Sequence, residues 1–350
     1  MSPSERAIVR ERRIKLIFFL GSLILLFLVI TQVQNMLISF LFAFVSYYLL
    51  SPAVDIIERR GFSRTLATVI PFLFAALVVG VCAIIFSPML VNQLQTLQSN
   101  FPKYLYAANY FLENLESQIG SLMQNVYPIN IKGTIQPQIM GWATAFFQKL
   151  PEFISQSFTI LFLAPFLTFF MLTDGRDFSR KLLSFVPNNF FELTLNLNHQ
   201  INTQMGGFIR ARLIESIVVG LIIWVGLLIL DFPYALILAL FAGLLNVIPY
   251  VGPVLGALPA LLISFASGGN SAEILWIISI YGLAQVIDTV VLVPFLVAKI
   301  VDLHPVTVVL AIIIGSQLMG ILGMIICIPV VSALKVTFIA LYKHFTDFRT

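Results

Sequence analysis

Charge is what this chain has least of. Aspartate, glutamate, lysine and arginine together make up only 10% of its 350 residues, against about a quarter in soluble domains. Cysteine is scarcer still. Cys82 and Cys327 each sit in an apolar run, which leaves no disulfide framework and no zinc-type spacing. The three histidines, His199, His304 and His344, are scattered and make no metal set. There is no H-E-x-x-H, no G-x-S-x-G and no P-loop with its lysine, and "GFSR" at 61–64 lacks the last glycine of a nucleophile elbow. These residues suggest no enzyme, resident metal or cofactor. The net charge of +4 is not a nucleic-acid signature either, because the basic residues fall between apolar runs and form no stripe with interleaved aromatics.

What fills the chain instead is hydrocarbon. Hydrophobic residues make up 59% of the sequence and the mean hydropathy is +0.99. Apolar runs fall near 16–33, 36–54, 66–90, 153–173, 213–230, 234–267, 272–298 and 305–341, several of them above the roughly 18 residues that mark a spanning helix. The expected fold is an all-α polytopic membrane protein with about eight apolar helical segments in the lipid bilayer. The basic "MSPSERAIVRERRIK" precedes the run Leu16 to Ile30, and "TQVQNM" follows it in place of a small-residue cleavage site, so the first span is expected to be retained. Thr31 to Asn35 would join the first two spans as a tight hairpin.

The few charges orient these spans. Of the 20 lysines and arginines, all but Lys103, Lys132 and Lys149 lie at the N-terminus, at 59–64, at 176–212, at Lys299 or from Lys335 onward. The positive-inside rule makes those regions cytoplasmic, with both termini inside and 91–150 outside. In the outer segment Leu90, Leu94, Leu97, Phe101 and Leu105 recur at helical spacing, as do Leu112, Leu115, Ile119 and Leu122. These are expected to be amphipathic helices that lie in the membrane interface, pack on a neighbouring subunit, or equally serve as no more than a lid or spacer. The organisation expected is N-terminal transmembrane helices (1–90), the outer segment (91–150), a transmembrane helix with a cytoplasmic helical insertion (151–212), a core (213–341) and a tail (342–350).

Two runs are too long for one crossing. As a helix, 234–267 would extend about 50 Å across a hydrocarbon core of about 30 Å, and 305–341 has the same excess. Both also carry their helix breakers in the middle. Single crossings would leave Lys299 outside. Re-entrant hairpins, the first opening outside and the second inside, place every basic residue correctly and are preferred. A lag near 71 residues supports a repeat, pairing Asp231 with Asp302, Pro233 with Pro305, Gly243 with Gly315, Asn246 with Gln317, Gly252 with Gly323 and Pro259 with Pro329. Each hairpin follows a span with one acid, Glu215 or Asp288. Span plus hairpin, twice and in opposite orientation, is an inverted repeat, an arrangement that places substrate where broken helices meet.

The candidate site follows from that break. Non-helical backbone at membrane depth must be buried in protein or line a watery cavity. In "NVIPYVGPVLGALP", Pro249, Pro253 and Pro259 remove N–H groups, while Gly252 and Gly256 permit a sharp turn. The freed carbonyls could hold a cation, with Asn246 and Tyr250 adding side-chain groups. Ser316 and Gln317 would do the same in the second hairpin. Asp288, with Gln285 one turn before it, is the deeper acid and the first candidate for coupling to protons or cations. Glu215 is the second, although Arg212 is one turn away and an interfacial salt bridge would equally explain it. Arg210 and Arg212 are sufficiently explained as positive-inside anchors.

"FAGLLNVIPYVGPVLGALPALL" (241–262) resembles the signature of the autoinducer-2 exporter family of bacterial membrane proteins. "GLAQVIDTVVLVPFLVAKIVDLHPVTVVLAIIIGSQLMGILGMIICIPVVSALKV" (282–336) resembles its second block. Order and spacing fit over roughly 150–340, and the 1–90 layout fits as well. Where the family usually has a basic residue after the proline of span seven, this chain has Pro294-Phe295-Leu296, so any ligand role there is absent or moved to Lys299. The resemblance implies a secondary transporter of the bacterial inner membrane, homo-oligomeric and pentameric, with an elevator-like or rocking motion. Within the family both autoinducer-2 export and sodium(lithium)/proton antiport are assigned. Three readings follow: export of a small polar solute driven by the proton gradient, placed first; exchange of a monovalent cation for protons; and a non-transporting oligomeric scaffold or channel.

Overall fold

The computed structural model describes residues 21, 36–122, 131–186, 188–249, 251–297 and 303–347. The expected first span and its hairpin, Tyr250 and Lys299 lie outside the described residues. Every described regular element is a helix. They are α1 (Met36–Arg59), α2 (Arg64–Leu122), α3 (Ile131–Ser184), α4 (Asn188–Ile229), α5 (Ala235–Leu245), α6 (Gly252–Ala266), α7 (Ser271–Ile287), a π-helical continuation of α7 (Asp288–Val297) and α8 (Pro305–Asp347). Among the described residues, five helices are long and apolar enough to cross a membrane, and three shorter apolar helices, Ala235–Leu245, Gly252–Ala266 and Val306–Gly320, accompany them. Large apolar side chains such as Phe74 (67% exposed) and Ile84 (77%) stand outward along α2, a surface suited to lipid rather than to water.

Several element boundaries follow from local chemistry. Gly61, at φ 95°, ends α1 in the left-handed conformation open to glycine, and its N–H donates to the Glu58 carbonyl at 2.9 Å. α6 starts with Gly252-Pro253, where the missing proline N–H costs nothing because first-turn N–H groups have no helical partner. α7 starts at an Asn270 cap that accepts from the Glu273 N–H at 2.8 Å, and the Glu273 carboxylate accepts from Ser264 at 2.7 Å. Past Ile287 the helix widens to π, and Pro294 lies within that segment. Proline denies its helix one N–H and crowds the carbonyl four residues back, and a wider turn relieves both.

Two compact units emerge. One comprises Met1–Leu77, Ser155–Arg210 and Val301–Thr350, the other Val78–Ile154 and Ala211–Ile300. In the first, Val54, Ala67 and Leu172 form a small core. Above it, Arg64 and Arg176 each pair with both Asp55 and Glu58 at 2.8–3.1 Å, and Arg64 also donates to the Leu172 carbonyl at 2.8 Å. The α1–α2 turn is thereby tied to α3. α8 breaks at Met319 and Gly320, the latter at φ 60°. In an unbroken helix, residues 315 and 323 would stand about 12 Å apart. Here a Cβ on Gly315 would meet the Gly323 carbonyl oxygen at 2.5 Å, so the two halves fold back on each other through glycine.

The second unit holds the larger core, built on Val219, Ile223 and Leu227 of α4, Leu238 and Ala242 of α5, Ala260 and Ile263 of α6, and Ile277, Tyr281 and Ala284 of α7. α5 and α6 also form a folded pair. A Cβ on Gly252 would sit 2.6 Å from the Asn246 Cβ, and one on Gly256 would sit 2.6 Å from the Ala242 Cβ.

Part of the stretch read from the sequence as an outer segment continues α2. α2 passes through residue 90 without a break. Its polar stretch docks on its own chain rather than only on lipid or a neighbour: Gln93 accepts from the Ile237 N–H at 3.3 Å, Asn100 donates to the Tyr234 hydroxyl at 3.1 Å, and the Tyr104 and Tyr234 hydroxyls meet at 3.1 Å. Leu97 packs on the same core. The cause is local. α5 starts at Tyr234, held at φ 61° with no side-chain cap of its own, so its first N–H groups need an outside acceptor.

Candidate ion and proton site

The break between α5 and α6 places Asn246 at the end of α5 with no exposed surface. Asp288 opens the π segment at 1% exposure. The Asn246 amide Nδ2 donates to Asp288 Oδ1 at 3.5 Å. On α4, Glu215 is fully buried and pairs with Arg212, itself 6% exposed, one turn earlier. Glu215 and Asp288 lie within electrostatic reach of one another, and Arg212 within reach of both. The Glu215–Arg212 salt bridge weighed from the sequence is present, and it is buried within the protein. Both side chains are buried, while their neighbours Ile214 and Ile217 on α4 stand exposed.

The cluster is rich in acceptors without a donor. Glu215 Oε1, Asn246 Oδ1 and Asp288 Oδ2 are buried and accept no hydrogen bond from any described residue, and neither does Gln285 Oε1. The Ser216 and Tyr281 hydroxyls are buried without a partner as well. A buried acceptor left dry costs about 1–3 kcal/mol, more for a charged one. A proton or a cation is the kind of occupant that satisfies several oxygens at once. Among the described residues no three His, Cys, Asp or Glu side chains gather as a metal site. Two carboxylates, one of them already facing an arginine, suit a singly charged guest.

The expected site residues divide as follows. Asn246 and Asp288 meet, and Glu215 joins them. Gly252, Pro253 and Pro249 are buried in the turn that positions Asn246. Gln285 is half-buried, and its Nε2 donates to Thr289 at 2.9 Å. Ser316 and Gln317 belong to the first unit. There the Ser316 hydroxyl donates to the Ile313 carbonyl at 2.7 Å, and Gln317 is exposed. Sequence reasoning named the Arg212–Glu215 pairing but gave Arg212 no role beyond an anchor, and it did not single out Ser216 or Tyr281. For Arg212 the signal was present in "RLIE", an arginine three residues before an acid at the edge of an apolar run.

An all-helical, multi-pass membrane chain with paired acids buried at a helix break has the makings of a membrane transporter. The profile described as AI-2E family transporter matches residues 16–343, and the chain belongs to that family of transporters. It is 29% identical over 329 residues to YueF of Bacillus subtilis (strain 168), by name a candidate transport protein, covering 90% of this chain and 86% of the relative. A second candidate transport protein of that strain, YrrI, is 28% identical, with 88% and 85% covered. The sodium-lithium/proton antiporter of Halobacillus andaensis is 26% identical over 308 residues, with 81% and 84% covered.

Proposed function

We propose that this protein exchanges a monovalent cation, sodium or lithium, for protons, with Asp288 as the group that binds one or the other. The observation that carries this reading is the buried Asp288 carboxylate, held by Asn246 on one oxygen and unpartnered on the other, beside the unpartnered Glu215 Oε1. A carboxylate in an apolar interior is tolerable only if something neutralises it. A proton and a small cation do so interchangeably and exclusively, and that competition is antiport. Similarity over most of the chain to a sodium-lithium/proton antiporter supports the same reading. Export of a small polar solute, first in order from the sequence, would call for donors as well as acceptors around Asp288. The buried Ser216 and Tyr281 hydroxyls could serve as such donors beside the Glu215, Asn246 and Asp288 oxygens, so exchange is placed first on the carboxylates and on the likeness to an antiporter, and export stands second.

In this reading the folded pairs α5–α6 and the two halves of α8 are re-entrant hairpins of an inverted repeat. The chain sits in the bacterial inner membrane with both termini cytoplasmic, as the basic residues favour, and works as a homo-oligomer through an elevator-like or rocking cycle. The test uses purified protein in liposomes under a pH gradient, with a trapped pH dye. Sodium or lithium should dissipate the gradient, and Asp288→Asn should abolish the response. Movement of labelled autoinducer-2 with no cation response would favour export. No flux of either kind would leave a scaffold or channel.

A further inference from the structure

The charges around Asp288 can be counted, and the count constrains the transport cycle. α4 supplies one positive and one negative group, Arg212 and Glu215. α7 and its π continuation supply Asp288 and the neutral Tyr281 hydroxyl. α5 and α6, the helices packed between them, carry no ionisable side chain along their lengths. Of the other acids of this region, Glu273 is engaged at the far end of α7 by Ser264 and the Asn270 cap, and Asp231 is exposed in the turn between α4 and α5. Counted over the described residues and with all three groups ionised, the site holds one net negative charge.

Building on the exchange reading above, we infer that Arg212 is a resident countercharge that fixes the exchange at one monovalent cation for one proton, with no net charge moved. One sodium or lithium ion brings the site to neutrality, and so does one proton. Both loaded states are therefore uncharged in a low-dielectric interior, where an uncompensated charge costs several kcal/mol. The empty site keeps its negative charge and is the costly form to carry across the bilayer, which ties outward and inward movement together. A divalent ion would leave one positive charge, so calcium and magnesium are poor guests. Without Arg212 the site would hold two negative charges. A single cation would then no longer suffice, and a proton would have to remain bound beside it.

Wild-type protein in liposomes tests this without any variant. Membrane potential is clamped with potassium and valinomycin, and the pH gradient at which sodium-dependent proton flux vanishes is measured with and without a potential. The expected balance point is the same at both. If one net charge moved per cycle, about 60 mV would shift the balancing sodium ratio about tenfold, and that shift overturns the inference while leaving exchange intact. Absence of any sodium-dependent proton flux contradicts the exchange reading itself. Arg212→Gln adds a second readout. Its exchange should fall at least tenfold at the alkaline end of the pH profile while surviving at the acid end, and Arg212→Lys should restore the wild-type profile. An Arg212→Gln profile that is scaled down evenly across pH would mean that the arginine only supports the structure.

Discussion

At Asp288 the chain keeps a carboxylate where hydrocarbon surrounds it, and the one described hydrogen bond it accepts comes from Asn246. The Asn246 Oδ1 accepts from no described residue and is available to a cation at Asp288. Asn246→Ala should therefore raise the sodium concentration for half-maximal exchange by about tenfold, measured as labelled sodium uptake into liposomes. An unchanged half-maximal concentration would remove Asn246 from the site. Both residues were conspicuous in the sequence, because each is a lone polar group inside an apolar run. Their meeting across 42 positions was not, since it depends on how the α5–α6 break aims the end of α5. Arg212 was named beside Glu215 but passed over as no more than an anchor. Arginines flank membrane spans so regularly that one more looks ordinary, and only its burial shows that it faces inward.

Among the elements, the broken helices were the most legible and their packing the least. Proline and glycine in mid-run demanded an interruption in 234–267 and in 305–341, and the chain folds back at both. The lagged pairing of Gly252 with Gly323 acquires a physical meaning here, because each is a glycine at the closest approach within its own folded pair. Gly243, the partner of Gly315 in that pairing, instead meets α4, where its Cβ would come 3.0 Å from the Ser216 carbonyl oxygen. The lagged positions thus share a packing role at Gly252 and Gly323 but not at Gly243 and Gly315. Gly252→Ala and Gly256→Ala force an atom into contacts too short to keep, and overpacking costs about 1–3 kcal/mol. Both should lower the thermal midpoint in detergent. Gly282→Ala on α7 meets nothing within 4 Å and should leave the midpoint unchanged or raise it, because glycine weakens a helix interior by about 0.5–1 kcal/mol relative to alanine. A Gly252→Ala protein as stable as Gly282→Ala would mean that the α5–α6 crossing is looser than described.

For the whole molecule, hydropathy and the placement of lysine and arginine established a multi-pass helical protein and suggested its orientation. What composition could not convey was that α2 runs unbroken from a membrane span into the polar stretch that caps α5. A change from apolar to polar faces marks a change of surroundings, not the end of a helix. The orientation itself is testable at 267–271, the turn between α6 and α7. With Cys82 and Cys327 replaced, a single cysteine placed there should react with an impermeant maleimide added outside intact cells. Labelling only after the cytoplasm is opened would mean that 234–267 crosses the bilayer once, and the inverted repeat would fail with it.

The central claim, that a cation and a proton compete for Asp288, can be read without transport at all. In weakly buffered detergent solution, sodium added to the purified protein should release about one proton per chain, seen as an acid shift of a pH dye, and Asp288→Asn should release none. Sodium binding without proton release, or the same release from Asp288→Asn, would contradict it.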